Sequence, residues 1–225
     1  MTLAQLTLDL PHRAALGAED FLVSGCNVAA VRLIDAWPGW QEPVHLLIGP
    51  PASGKTHLAR VWQGLSGARS LDPKTLDMGF IDSTGEGTSL LVEDADRSAY
   101  DERALFHLLN LAREKQLFVL LSARSAPSRW GVSLPDLSSR LNAGPIVEIG
   151  APDEALLRMV MLKHFADRQL DIDPKVLEFL ALHVERSLQA AATAVEAVDR
   201  MALATGRKIN RQLVVEALAG NAPTD

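Results

Sequence analysis

The sequence predicts an α/β protein with a parallel five-stranded sheet, followed by a small all-helical unit. Strand-length apolar runs alternate with helical stretches up to about residue 150, a phosphate-binding pattern closes the first clear strand, and beyond Gly150 only helical patterns remain. The strand-like runs are Val44 to Ile48, Ala68 to Leu71, Ser89 to Glu93, Leu117 to Ser122 and Ile146 to Ile149, with helical stretches such as Tyr100 to Lys115 between them. Strands separated by helices pair in parallel, and the helices cover both faces, giving three layers.

Helix start and stop signals organise the remainder. Pro152, Asp153 and Glu154 open a helix whose inner face is Leu156, Leu157, Val160 and Met161. Asp173 and Pro174 open a second, with Val176, Leu177, Leu180 and Val184 inward. Ser187 caps a third that Gly206 ends, and Asn210 caps a short fourth carrying Leu213, Val214, Ala217 and Leu218. Upstream, MTLAQLTLDLPHRAALGA alternates apolar and polar residues before Pro11 and Gly17, which reads as an extended arm. The expected organisation is therefore an arm over 1–18, an α/β unit over 19–150 and a helical lid over 151–225.

Composition narrows the class. The chain has 225 residues, 48% of them apolar, enough for a full core and a second small unit. Its net charge of −6 argues against holding duplex DNA by counterion release, so no direct specific DNA binding is expected. Cys26 is the only cysteine, which excludes a disulfide framework, suits a reducing cytoplasm and reads as a small buried hydrophobe. No run approaches the ~20 apolar residues of a membrane span. The six histidines follow no metal-ligand spacing, and Trp37, Trp40, Trp62 and Trp130 read as core packing.

The chemistry concentrates in GPPASGKT at 49–56, directly after the apolar run VHLLI. Gly49 and Gly54 permit the turn that aims successive N–H groups, including those of Ala52 and Ser53 beyond Pro50 and Pro51, at a polyphosphate. Lys55 adds a point charge near the terminal phosphates, Thr56 offers a hydroxyl to Mg²⁺, and the helix running on through His57 presents its positive end to the anion. A metal partner is expected at the end of a neighbouring strand, and LLVEDAD supplies the adjacent carboxylates Glu93 and Asp94. Either can hold Mg²⁺ while the other orients an attacking water. LFVLLSA ends in Ser122, followed by Arg124, where a polar group can sense the γ-phosphate. LPDLSSRL places Arg140 just before the last strand, able to reach a nucleotide held by a neighbouring molecule.

Phosphate loop, acidic strand end, polar strand end, SRL arginine and trailing helices, in that order, resemble the AAA+ ATPases, and among them the DnaA-related group, essentially from end to end. QLTLDL at 5–10 resembles the peptide with which regulatory members of the group dock on the DNA polymerase sliding clamp, implying partner-binding roles for Gln5, Leu6, Leu8 and Leu10. EDFLVSGCN at 19–27 resembles the segment that lies against adenine, nominating Phe21, Leu22, Val23 and Asn27. LPDLSSRL is similar to the group's arginine-finger segment, which makes Arg140 the residue offered to ATP on DnaA. The resemblance implies ADP or ATP with Mg²⁺ as ligands, DnaA and the clamp as partners, a second copy of the chain as a further candidate partner, and negative regulation of replication initiation.

Three positions depart from the group. Glu93 stands where aspartate is usual, Arg124 where the first sensor is commonly an aspartate, and Gln189 aligns with the usual lid arginine, with Arg186 one turn earlier. The expectation is weak intrinsic hydrolysis and a resting ADP form. Two other classes stay open, an adaptor or loader that acts by assembly alone and an autonomous phosphoryl-transfer enzyme such as a small kinase.

Overall fold

The computed structural model describes residues 21–97 and 100–220; the arm with Gln5, Leu6, Leu8 and Leu10 lies outside them. Strands β1 (Val44–Ile48), β2 (Arg69–Leu71), β3 (Ser89–Val92), β4 (Phe118–Ala123) and β5 (Ile146–Glu148) form one sheet in the order β2-β3-β4-β1-β5, every pair parallel. Each falls within a residue or two of the run that predicted it. Around the sheet lie α1 (Val28–Asp35), α2 (Lys55–Ser66), α3 (Met78–Asp82), α4 (Glu102–Glu114) and α5 (Pro135–Ala143); α6 (Glu154–Asp167), α7 (Pro174–His183), α8 (Leu188–Thr205) and α9 (Arg211–Ala219) follow.

Successive side chains on a strand point to opposite faces, and this alternation sorts the core into two layers. Leu46, Ile48, Leu90, Val92, Val119 and Leu121 pack against α4 and α5 through Leu105, Leu108, Leu109, Leu137 and Leu141. Leu47, Leu91 and Leu120 face the other way, against Ala30, Val31 and Ile34 of α1 and Leu58, Ala59 and Trp62 of α2. On this second side Trp40 stacks on Trp62 at 5.0 Å, and Trp37 meets both edge-on. Trp130 packs against the first cluster, so all four tryptophans serve packing as expected. Cys26 differs from expectation: it is only half-buried, with its sulfur 3.0 Å from the Ser24 hydroxyl.

The four later helices start where their caps stand. Asp153 accepts from the Leu156 N–H at 2.7 Å, Asp173 from Lys175 at 2.8 Å, Ser187 from Ala190 at 3.0 Å and Asn210 from Leu213 at 2.9 Å. Gly206 ends α8 with φ +63°, a left-handed conformation that costs glycine nothing. Together these helices enclose their own apolar cluster around Met161, Phe165, Leu180, Val195, Val198 and Leu213. Helix α1 lacks such a signal, because the Asn27 side chain at its start bonds backward, to the Ser24 N–H and the Leu22 carbonyl, instead of capping.

Truncating Leu120, fully buried at the centre of the sheet, to Ala is expected to cost about 2–5 kcal/mol through lost transfer energy and an unfilled cavity. Leu203→Ser on the outer face of α8, where the side chain is 76% exposed, is expected to stay within about 0.5 kcal/mol. Urea unfolding of both variants checks the contrast.

Candidate phosphate-binding site

The loop between β1 and α2 is pressed against the sheet by its glycines. The Gly49 N–H donates to the Ala123 carbonyl of β4 at 3.2 Å, while on the other side the Ile149 N–H donates to the Ile48 carbonyl at 2.8 Å. A Cβ at Gly49 would stand 2.7 Å from the Ile149 carbonyl oxygen and 2.9 Å from Ser53 Oγ, closer than real side chains come. Gly54 takes φ +97°, and a Cβ there would meet the Phe21 ring at 2.6 Å. Ala52 also has positive φ, 55°, so the loop folds its main chain inward in the way that anion-binding turns do.

Helix α2 begins at Lys55, and the first N–H groups of a helix lack intrahelical acceptors. That first turn borders a cleft of about 270 Å³ lined by Pro51, Ala52, Ser53, Gly54, Lys55, Thr56, Asp94 and Arg124. Lys55 is buried, and its ammonium donates to the carbonyls of Gly49 and Pro50, both at 2.8 Å. Burial pushes its pKa down, the Asp94 carboxylate pulls it up, Arg124 pushes it down and Asp96 pulls it up. Among the described residues the Ser53 hydroxyl is buried without a hydrogen-bond partner. Two glycines that admit no side chain, a buried lysine and an orphaned hydroxyl make a cradle suited to a polyphosphate. Thr56 and Asp94 supply the oxygen donors that Mg²⁺ would use beside it.

The acidic strand end divides its work. Asp94 lines the cleft at φ +51°, its N–H bonded to Ser122 Oγ at 3.2 Å; Glu93 is half-buried and outside the cleft lining. Ser122 is buried and takes part in the site by fixing Asp94, not by lining the cleft. Asp96, unmarked in the sequence reading, accepts from the N–H groups of Arg124 and Ser125 at 2.9 and 3.1 Å and from the Ser125 hydroxyl at 3.2 Å. It thereby ties the turn after β3 to the turn after β4. The third acid of EDAD was the available signal.

Phe21 stacks on His57 with ring centroids 5.1 Å apart, which sets Phe21 beside the start of α2. Asn27 is buried and braces this segment through Ser24 and Leu22. Gln189 is exposed in the first turn of α8, and neither it nor Arg186 lines the phosphate cleft.

Arg140 sits elsewhere. It shares a hollow with Glu42, Val44, Arg113, Gly144 and Pro145, at the edge of the sheet where β1 begins, whereas the phosphate loop follows the end of β1. Its guanidinium donates to Asn110 Oδ1 of α4 at 2.9 Å. Helix α4 also holds the start of α5, because the Glu102 carboxylate accepts from the N–H groups of Ser133 and Leu134, at 2.9 and 2.7 Å, and from the Ser133 hydroxyl at 2.8 Å. These donors hold the Glu102 carboxyl below its ordinary range, the Ser133 N–H contributing most. Neither Glu102 nor Asn110 belongs to a local motif, so nothing in the sequence marked them.

Against solved structures, the chain superimposes on domain III of the Thermotoga maritima replication initiation protein DnaA with a TM-score of 0.71 at 19% identity, covering 90% of this chain and 95% of that one. It has the AAA+ fold. A point variant of Thermotoga maritima RuvB matches at TM-score 0.68 and 19% identity, over 87% of this chain and 68% of that one. A structure described as a DNA replication initiation factor matches at 0.68 and 17%, over 89% and 67%. By sequence, the chain is 27% identical over 191 residues to a Haemophilus influenzae protein described only as uncharacterized, spanning 79% of this chain and 82% of that one. No protein-family model matches.

Two substitutions test this geometry. Gly49→Ala is expected to destabilise the fold by about 1–3 kcal/mol, because the added methyl meets a backbone carbonyl that cannot swing aside; thermal unfolding reads it. Glu102→Gln is expected to lower stability at neutral pH. A carboxyl whose folded pKa lies below its unfolded value stabilises above the unfolded pKa and loses that contribution as pH falls through the folded one. The gap between variant and parent should therefore close as pH falls below the ordinary 4.5, followed by denaturant melts at stepped pH.

Proposed function

We propose that the chain is an adenine-nucleotide-binding regulator of chromosome replication initiation, resembling Hda, the DnaA-homologous regulator of bacterial initiation. In this reading residues 19–150 hold ADP or ATP with Mg²⁺, and 151–225 serve as the lid. The arm at 1–18 docks on the sliding clamp through Gln5, Leu6, Leu8 and Leu10, and Arg140 is presented in trans to ATP on DnaA. The setting is the cytoplasm, where the clamp and DnaA work. Among the described residues no helix is long and apolar enough to cross a membrane.

One observation supports this above others. Arg140 lies at the opposite end of β1 from the chain's own phosphate cleft; Asn110 of α4 accepts from its guanidinium, and Glu102 of α4 holds the start of the helix that carries it. A guanidinium so placed is of no use to the nucleotide in cis; held half-buried and oriented, it suits a phosphoryl group offered by a neighbouring molecule. An arm that engages the clamp adds effective concentration near DnaA on the same DNA.

Arg140→Ala is expected to reduce stimulation of DnaA-bound ATP hydrolysis by about 10³-fold or more, the range of measured arginine fingers, with ADP affinity and clamp capture retained. Unchanged stimulation would remove the trans finger and leave the assembly-only adaptor. Deleting residues 1–10 is expected to abolish clamp capture in a pull-down while ADP affinity holds.

A further inference from the structure

We propose that Arg124 is the resident counter-cation of the phosphate cleft: it pairs with Asp94 when the cleft is empty and moves onto the terminal phosphate of a bound nucleoside diphosphate, which is then held with little dependence on Mg²⁺. This rests on the reading of the cleft as a nucleotide site.

Arg124 Nε lies 3.9 Å from Asp94 Oδ1, and both residues line the same cleft as Lys55 and Thr56. The carboxylate best placed to take a metal therefore already faces a cation of the protein. Among the described residues no three His, Cys, Asp or Glu side chains converge, so a metal here must lean on Thr56, the phosphates and that shared carboxylate. Arg124 competes with it for Asp94 while supplying the same neutralising charge to the anion.

The position of Arg124 is built into the fold. Its N–H is held by Asp96 Oδ2 at 2.9 Å, and the next residue is held three times over, by Asp96 through its N–H and hydroxyl and by the Trp130 indole N–H on its carbonyl at 2.8 Å. The backbone is pinned at the mouth of the cleft while the side chain, 39% exposed, keeps freedom to swing. Its charge also reaches Lys55, one of the groups that pushes the buried ammonium's pKa down, so the two cations share one space. A single-pronged pair between half-exposed groups is weak, whereas a guanidinium meets phosphate oxygens through two parallel charge-assisted bonds. A diphosphate that brings its own negative charge thus takes Arg124 from Asp94.

Calorimetric titration of the full chain with ADP, once in excess Mg²⁺ and once in excess EDTA, tests this. The parent is expected to change affinity by less than about threefold between buffers, and Arg124→Gln to lose about tenfold or more in EDTA and to regain part of it with Mg²⁺. Arg124→Lys, which keeps the charge, should recover most of the metal-free affinity. Asp94→Asn, which frees Arg124 and removes a repelling carboxylate, should tighten metal-free binding about threefold or more, and decides the matter if the Gln variant folds poorly. A parent that loses about tenfold in EDTA, or a well-folded Arg124→Gln that matches the parent there, overturns the proposal. A parent that binds ADP in Mg²⁺ but not in EDTA leaves the nucleotide reading standing and refutes this one; a parent that binds in neither buffer refutes both.

Discussion

The close approach of the phosphate loop to the sheet is the constraint from which the rest of the site follows. Gly49 continues β1 into a slot between the Ala123 carbonyl and Ile149, leaving no room for a side chain. With that residue fixed, the chain must reverse within a few positions, which draws positive φ at Ala52 and Gly54 and starts α2 at Lys55. The lysine is then buried beneath the loop it belongs to, bonded to that loop's own carbonyls. A substituent at Gly49 would displace all of this at once, because packed interiors relax poorly around added volume.

The neighbouring strands convert this geometry into an electrostatic site. β4 lies between β1 and β3, so the turns after β3 and β4 are brought beside the phosphate loop. Three acidic residues in EDAD end with different tasks: Asp94 faces the cleft, Asp96 fastens one turn to the other, and Glu93 stays outside the cleft lining. Ser122 and Asp96 act as braces whose bonds determine where Asp94 and Arg124 stand. Opposing charges gathered in one cleft, with Lys55 buried and Arg124 3.9 Å from Asp94, give the cleft its character, more than any one side chain does.

At the far end of β1, α4 organises a second feature independently. One helix holds the start of α5 through Glu102 in its first turn and the Arg140 guanidinium through Asn110 further along. Two contacts on one rigid element fix both position and direction of the arginine. The phosphate-loop cleft and the arginine thus lie at opposite ends of β1.

The sequence by itself determined the strands, the phosphate loop and the four later helices, because each is written in local chemistry: apolar runs of strand length, glycines in register with Lys55, and caps at Asp153, Asp173, Ser187 and Asn210. Helix α1 escaped it, since Asn27 turns its side chain back toward Leu22 and Ser24 and leaves no start signal. Tertiary structure alone decided which of Glu93 and Asp94 lines the cleft, that Ser122 and Asp96 are braces, and that Glu102 and Asn110 hold α5 and its arginine. These pairings join residues about 28 to 32 positions apart, brought together by the order of parallel strands and the helices between them. Contacts of that separation depend on where whole elements pack, and no pattern within a single element encodes them.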